Sequence, residues 1–431
     1  MSARAAKGDI RMRVRDLSVV LAETGEHIVD KVSFDLKGGE VLALVGESGS
    51  GKSVTALACL RLLPEALRIG GGEVTRGEQH LFTLPESRMQ SVRGRRVAMI
   101  FQNAMTALNP VKTVGQQVAE TLHLHTPLRG PALRERVIAM FTEVQLPDPD
   151  ARYAYYPHQL SGGQQQRVMI AMALACEPDI LVADEPTTAL DVTIQQQVLD
   201  LIAALARSRQ HAVLLNTHDM GVVKYAADTV AVMYRGRIIE EAAVPTFFAR
   251  PRQAYSRTLV AALPDLSTFR EPAEKPLLLE LDQVSVHFPV RKGLLRRVVD
   301  TIRAVDGVSL HIARGETYAL VGESGSGKST LGRAILGLES LSGGHIRFAG
   351  SPLEHLGRSG YLPFRRRIQV IFQNPHSSMN PRLQVGDIVA EGILSLHPEW
   401  GEADREARVA ALLERVQLPA NSAGRYPHEF S

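Results

Sequence analysis

"VGESGSGKS" stands at Val45–Ser53 and again, letter for letter, at Val321–Ser329. Each copy contains the pattern Gly-x-x-x-x-Gly-Lys-Ser. "EVLALV" (Glu40–Val45) precedes the first copy as a short aliphatic run that reads as a buried strand. "KSVTALACLRLL" follows from Lys52 with helical spacing and ends before Pro64. In a strand–glycine loop–helix, backbone N–H groups converge on phosphate oxygens, and the glycines allow close approach and unusual φ. Gly46, Glu47, Ser48, Gly49, Ser50, Gly51, Lys52 and Ser53 are therefore one predicted phosphate cradle. Gly322, Glu323, Ser324, Gly325, Ser326, Gly327, Lys328 and Ser329 are the second. Lys52 and Lys328 would reach the β and γ phosphates of a nucleotide, and Ser53 and Ser329 would ligate its Mg²⁺. A ligand-free Gly/Ser turn is the plainer reading of one such loop; two identical copies in the same setting leave that reading little room.

The duplication extends beyond the loop. "FQN" begins at Phe101 and at Phe372, "VQLP" at Val144 and Val416, and "YPH" at Tyr156 and Tyr426. The separations are 276, 271, 272 and 270 residues in order along the chain, which marks a duplicated domain with small loop changes. A length of 431 residues also exceeds one ordinary core. The seam, "LPDLSTFREPAEKPLLLE" (Leu263–Glu280), carries three prolines and no periodicity, as a short linker does. The expected division is a first domain over 1–265, a linker over 266–276 and a partial second domain over 277–431. The second copy of "YPH" runs into Glu429, Phe430 and Ser431, where the sequence stops.

"DILVADEPT" (Asp179–Thr187) reads as an apolar strand ending in two carboxylates. Placed beside the strand of the first loop, it would bring Asp184 to Mg²⁺ and Glu185 to the attacking water as its base. "AVLLNTHDM" (Ala212–Met220) is another apolar strand, and His218 after it is a candidate γ-phosphate contact. Other chemistries find no support. Cys59 and Cys176 lack metal-ligand spacing and read as buried small side chains. A net charge of +3, with only short basic spots at Arg93–Arg96 and Phe364–Gln369, gives no reason to expect nucleic acid. No apolar run approaches the ~20 residues of a membrane span. The first residues lack the apolar centre of a signal peptide. A soluble, cytoplasmic protein is expected, with a peripheral membrane role left open.

These residues resemble the ABC ATPases, the nucleotide-binding subunits of ABC transporters. "LSGGQQQR" (Leu160–Arg167) looks like the family's signature motif, Gln102 like its Q-loop and "TALD" (Thr188–Asp191) like its D-loop. The resemblance implies an α/β fold: two tandem P-loop NTPase domains, each a mainly parallel sheet core with an antiparallel β part and a helical subdomain, the second incomplete. It implies that ATP and Mg²⁺ bind between facing domains. Ser161, Gly162, Gly163 and Gln164 of one domain would then receive the γ-phosphate held by the other. It adds Gln102 and Gln373 to the metal contacts. It makes Glu185, His218 and Gln102 the catalytic set. An adenine-stacking aromatic is filled by Phe288 in the second unit, whereas "VVLAETGEHIV" offers none in the first.

"MTALNPVKTVGQQV" (Met105–Val118), "SSMNPRLQVGDIV" (Ser377–Val389) and "RPRQAYSRTLVAALP" (Arg250–Pro264) are similar to peptide and nickel importers of the fused dipeptide/oligopeptide type, including microcin C-type fused ATPases. The last stretch matches that group's C-terminal extension, expected at about 245–265. Its His-Pro-Tyr-Thr-Arg core is here Ala254, Tyr255, Ser256 and Arg257, so the Tyr and Arg are kept. The resemblance implies two membrane-spanning permease subunits, an extracytoplasmic solute-binding protein and a peripheral place on the cytoplasmic face of the inner membrane. Two alternatives stand beside it: a tandem translation-factor-like ATPase without a membrane partner, and a catalytically impaired nucleotide-binding fragment. With one signature, one acidic strand and one such His in the sequence, a monomer is expected to bind ATP but hydrolyse it poorly. Two chains pairing through their first cassettes would complete two sites.

Overall fold

The computed structural model describes residues 8–187, 192–263, 275–292, 297–323, 325–354, 356–372 and 378–430. Thr188–Asp191, Ser324, Gln373, Ser431 and most of the expected linker lie outside them. The chain divides into two compact units, Met1–Thr268 and Phe269–Ser431.

In the first unit, β1 (Ile10–Leu21), β2 (His27–Lys37), β4 (Leu67–Arg76) and β5 (Gln79–His80) form an antiparallel sheet in the order β2-β1-β4-β5. A second sheet has the order β10-β9-β3-β8-β7-β6. Its strands are β3 (Val41–Val45), β6 (Val97–Ile100), β7 (Ile180–Asp184), β8 (Ala212–Thr217), β9 (Thr229–Tyr234) and β10 (Arg237–Ala243). All its pairings are parallel except β9–β10. The continuous apolar runs of β3, β7 and β8 follow from burial on both faces. Every residue of these three strands is buried. Alternate side chains serve opposite layers. Leu42, Leu44, Val182 and Leu214 pack with Val14, Phe34 and the loop-helix residues Ala56 and Cys59. Leu181, Ala183, Val213 and Leu215 face the helical side, with Val137, Phe141, Val168 and Leu174. Burial pushes the Cys59 thiol up to about 12, which keeps it an inert core side chain. Cys176 is only half-buried.

The helical part comprises Val114–His125, Gly130–Glu143 and Gly162–Leu174. Thr113 and Gln116 close a capping box on the first of these, and Ser161 and Gln164 close one on the third. The helix Ala254–Ala261 packs Tyr255, Leu259 and Val260 against a cluster that includes Val45, Val232 and Phe247.

One expectation is corrected. β7, read as the neighbour of the first loop's strand, is separated from β3 by β8. Strand order is set by which long connections cross over, and an apolar run carries no record of its neighbours.

The second unit repeats the antiparallel sheet, in the order β12-β11-β13-β14, from β11 (Leu277–Lys292), β12 (Arg297–Ala313), β13 (Gly343–Phe348) and β14 (Ser351–Pro352). It also repeats the loop helix, Lys328–Ile335, and a helical part that ends in the turn Pro427–Glu429. Pro157–Gln159 and Pro427–Glu429 form the same capped turn. The Tyr156–His158 and Tyr426–His428 ring pairs stack at the same centroid distance of 5.7 Å. No parallel sheet forms among the described residues of this unit. "ETYALV", the counterpart of "EVLALV", lies outside any strand, with Val321 85% exposed. Ile371, matching a buried strand residue of the first unit, is 99% exposed.

Unpaired, exposed backbone is where a protease finds substrate first. Limited chymotrypsin digestion is expected to cut the second unit early, after Tyr318 or Phe372, and to leave the first unit as a resistant fragment on a gel. Equal survival of both units would contradict this.

Candidate nucleotide site

The carboxyl ends of β3, β7 and β8 lie side by side, with Val45 paired to Thr217 and Asp184 to Asn216. In open α/β sheets this is the edge where ligands bind. The first loop leaves β3 here and turns into the helix Lys52–Cys59. Gly51 has φ +105, and a Cβ on Gly46 would sit 2.2 Å from the Met233 carbonyl oxygen, so neither position accepts a side chain. The helix starts with no side-chain cap, in contrast to the helices capped by Thr113, Ser161 and Asp219. Its first N–H groups and dipole therefore face the loop. The Lys52 ammonium donates to the loop's own Gly46 and Glu47 carbonyls at 2.8 and 2.9 Å. Burial pushes its pKa down, against the pull of Glu185 and Asp184. The Ser50 hydroxyl is buried without a partner. An uncapped helix start, a lysine parked on carbonyls and an orphaned hydroxyl together fit a polyanion.

Ser53 donates to Asp184 Oδ1 at 3.0 Å, and Asn216 donates to the same oxygen at 2.9 Å. Burial raises the Asp184 carboxyl above its ordinary range, while the hydrogen bonds from Asn216 and Ser53 work the other way. Hydroxyl and carboxylate oxygens are the donors a hard cation such as Mg²⁺ takes. Glu185 follows with φ +46, its N–H bonded to the Asn216 carbonyl at 3.0 Å. Its carboxylate is bracketed: Gln102 donates to Oε2 at 2.9 Å, and His218 Nδ1 lies 3.0 Å from Oε1. A left-handed backbone at a carboxylate residue is strained, roughly 1–3 kcal/mol, and persists where the surroundings fix it.

Gln102, Asp184, Glu185, His218, Lys52 and Ser53 are thus brought together. Ser161 and Gly162 are exposed at the start of Gly162–Leu174, with Ser161 as its cap. The following "QQR" turns inward. Gln165 donates to the Pro157 carbonyl, Gln166 to that of Pro186, and Arg167 to that of Val144 and to Gln197. The signature helix is thereby tied to the residues just after Glu185.

In the second unit, Lys328 donates to the Gly322 and Glu323 carbonyls at 2.6 and 2.7 Å, the same self-contacts as Lys52. Ser329, Gly325, Ser326 and Gly327 follow the first loop's course, with Gly327 at φ +92. Phe288 is exposed on β11 opposite Ile302, and Ala304, two residues along β12, touches Gly327. Gln373 and Ser324 lie outside the described residues.

Two contacts escaped the sequence reading. Asn216 is fully buried and holds Asp184; its only sequence signal was an amide inside an apolar strand. The Tyr255 hydroxyl, from the C-terminal extension, accepts a hydrogen bond from the Glu47 N–H at 3.1 Å. Nothing in the sequence pointed from residue 255 to residue 47.

The family model described as ABC transporter matches residues 29–188 and 305–431. The chain is 47% identical to the "Peptidoglycan transport ATP-binding protein YejF" of Agrobacterium fabrum (strain C58), over 97% of this chain and 77% of that protein. It is 44% identical to the "Glutathione import ATP-binding protein GsiA" of Escherichia coli (strain K12), over 97% and 73%. A solved "bacterial Atm1-family ABC exporter with ATP bound" superposes with TM-score 0.50 at 24% identity, over 62% of this chain and 44% of that one, a likeness of fold. On these matches the chain belongs to the ABC transporter family, as one of its ATP-binding, ATP-hydrolysing proteins.

Proposed function

We propose that the first unit holds Mg-ATP on its loop, hydrolyses it with Glu185 as general base, and so energises import of peptides or related solutes. The carrying observation is the bracketing of Glu185 by Gln102 and His218, beside Lys52 and the Ser53–Asp184 pair. Lys52 moves from the loop carbonyls to the β and γ phosphates. Ser53, Asp184 and Gln102 hold Mg²⁺, which neutralises charge on the phosphates when bound. Glu185 takes the proton of the attacking water, and His218 fixes that carboxylate and contacts the γ-phosphate. Ser161, Gly162, Gly163 and Gln164 of a facing cassette close over the γ-phosphate, either from a second chain paired through first units or from another cassette. The second unit binds nucleotide through Lys328 and Ser329, with Gln373 on the metal and Phe288 under the adenine.

The solute class rests on relatives named for peptidoglycan transport and glutathione import, since both named solutes contain peptide. No helix among the described residues is long and apolar enough to cross a membrane. The relatives named as ATP-binding proteins of transport and import support assigning membrane passage to two permease subunits, with a solute-binding protein outside and this chain peripheral on the cytoplasmic face. An apolar groove beside Gln102, lined by Leu62, Phe101, Leu108, Met169 and Met172, offers a permease a place to dock. Leu62 and Phe101 are exposed in it.

Glu185→Gln keeps the shape and removes the base. Its ATPase rate is expected to fall roughly 10²–10⁴-fold, with ATP binding retained in a filter assay. Retained hydrolysis removes Glu185 from its role. If facing first units complete the site, specific ATPase activity will rise with protein concentration; a rate independent of concentration contradicts pairing between chains.

Asp184 gives a pH-dependent test. Its folded carboxyl holds a proton more tightly than the unfolded one. Stability therefore falls as pH rises from 3.8 toward the raised folded value, and the deficit remains at neutral pH. Asp184→Asn removes that deficit, so without Mg-ATP its melting temperature at pH 7 is expected above wild type, with the gap closing toward pH 3.8. With Mg-ATP the order reverses, because the metal loses an anionic ligand. A melting temperature below wild type without ligand would contradict the desolvation argument.

A further inference from the structure

We propose that Tyr255 is a positioning residue for the first nucleotide loop, and that the C-terminal extension exists in part to hold it there. The proposal rests on the reading of that loop as the ATP site. Glu47 is gripped on both sides of its peptide. Its N–H donates to the Tyr255 hydroxyl at 3.1 Å, and its carbonyl accepts from Lys52 at 2.9 Å. The same carbonyl also accepts the Ser50 N–H at 3.2 Å, so when phosphates draw Lys52 away a contact within the loop remains there, and Tyr255 is the contact that ties this exposed arm to the C-terminal extension.

The extension is built to place that hydroxyl. The Glu240 carboxylate on β10 is buried and accepts from the Arg252 and Gln253 N–H groups at 2.8 and 3.0 Å. It thereby pins the start of the helix Ala254–Ala261, whose own side-chain cap is missing. Arg257 donates to the Arg252 carbonyl at 2.6 Å and closes the preceding turn. The Tyr255 ring packs on Tyr234 with centroids 4.5 Å apart, and Tyr234 ends β9, the strand beside β3. A tyrosine fixed at its backbone by a carboxylate clamp and at its ring by an aromatic neighbour has little freedom left to spend on binding. The Tyr and Arg retained in the extension are thus the residue that reaches the loop and the residue that closes the turn behind it.

The experiment uses the full chain with Lys328→Ala in every sample, so that only the first loop reads out. Tyr255→Phe keeps the ring on Tyr234 and removes the acceptor. In the nucleotide-free protein the Glu47 amide is expected to exchange its hydrogen faster in Tyr255→Phe. In steady-state ATPase assays KM for ATP is expected to rise roughly 2- to 10-fold, the range set by one net hydrogen bond, with kcat little changed. A merely structural role would lower the melting temperature and leave KM alone. Unchanged exchange at Glu47, an unchanged KM, or a fall in kcat alone overturns the proposal. Lys52→Ala is the control for the site itself: undiminished ATP binding there removes the nucleotide reading, and this inference with it.

Discussion

The ladder that holds β3 between β8 and β9 is the constraint on which the first unit depends. Val41–Val45 pairs with Val213–Thr217 on one side, and Leu42–Val45 with Thr229–Val232 on the other. Each pairing joins residues far apart in sequence, so loop-closure entropy opposes it until the whole sheet assembles. Once it is made, the strand's backbone groups are paired along both edges, and five side chains are buried. The loop's first glycine is then fixed against the Met233 carbonyl, and the carboxyl ends of β7 and β8 arrive beside it.

The second unit shows what the loop sequence does without that ladder. Gly322, Glu323, Gly325, Ser326, Gly327, Lys328 and Ser329 repeat the residues of the first loop, and Lys328 finds the same two carbonyls. The self-contacts of the loop and the helix after it are local and reappear. The preceding strand is not local: its counterparts of β8 and β9 are absent from the described residues, and Tyr318, Leu320 and Val321 stay exposed. The contrast separates two contributions that a motif merges, a short-range turn geometry and a long-range platform that aims it.

The same division explains how much could be read beforehand. The duplication and the strands at Val41–Val45, Ile180–Asp184 and Ala212–Thr217 follow from the repeated words, the apolar runs and Gly-x-x-x-x-Gly-Lys-Ser, whereas the α/β class and the signature motif came with the family resemblance. The legible part of the site was the set of side chains at strand ends. The illegible part was whatever depends on neighbours across the sheet. β8 lies between β3 and β7, which puts Asn216 next to Asp184. Gln166 reaches Pro186, and Tyr255 reaches Glu47 across 208 residues. No periodicity encodes such contacts, since each is decided by crossover order and by where a terminal helix packs.

Glu185 is where these long-range placements meet. Its backbone is fixed by β7 and by the Asn216 carbonyl, and one carboxylate oxygen by His218 after β8. Its other oxygen takes the Gln102 amide, from the segment that leaves β6 at the sheet edge and leads into the helical part. Two restraints therefore belong to the sheet and the third to the path toward Val114–His125. Gln102 thus sits on the segment that runs on toward Val114–His125, while Asn216 and His218 belong to the sheet and its strand ends. Gln166, bound to Pro186, ties the signature helix to the other side of the same residue. The carboxylate is consequently the point at which the parallel sheet, the segment entering the helical part and, through Pro186, the signature helix meet.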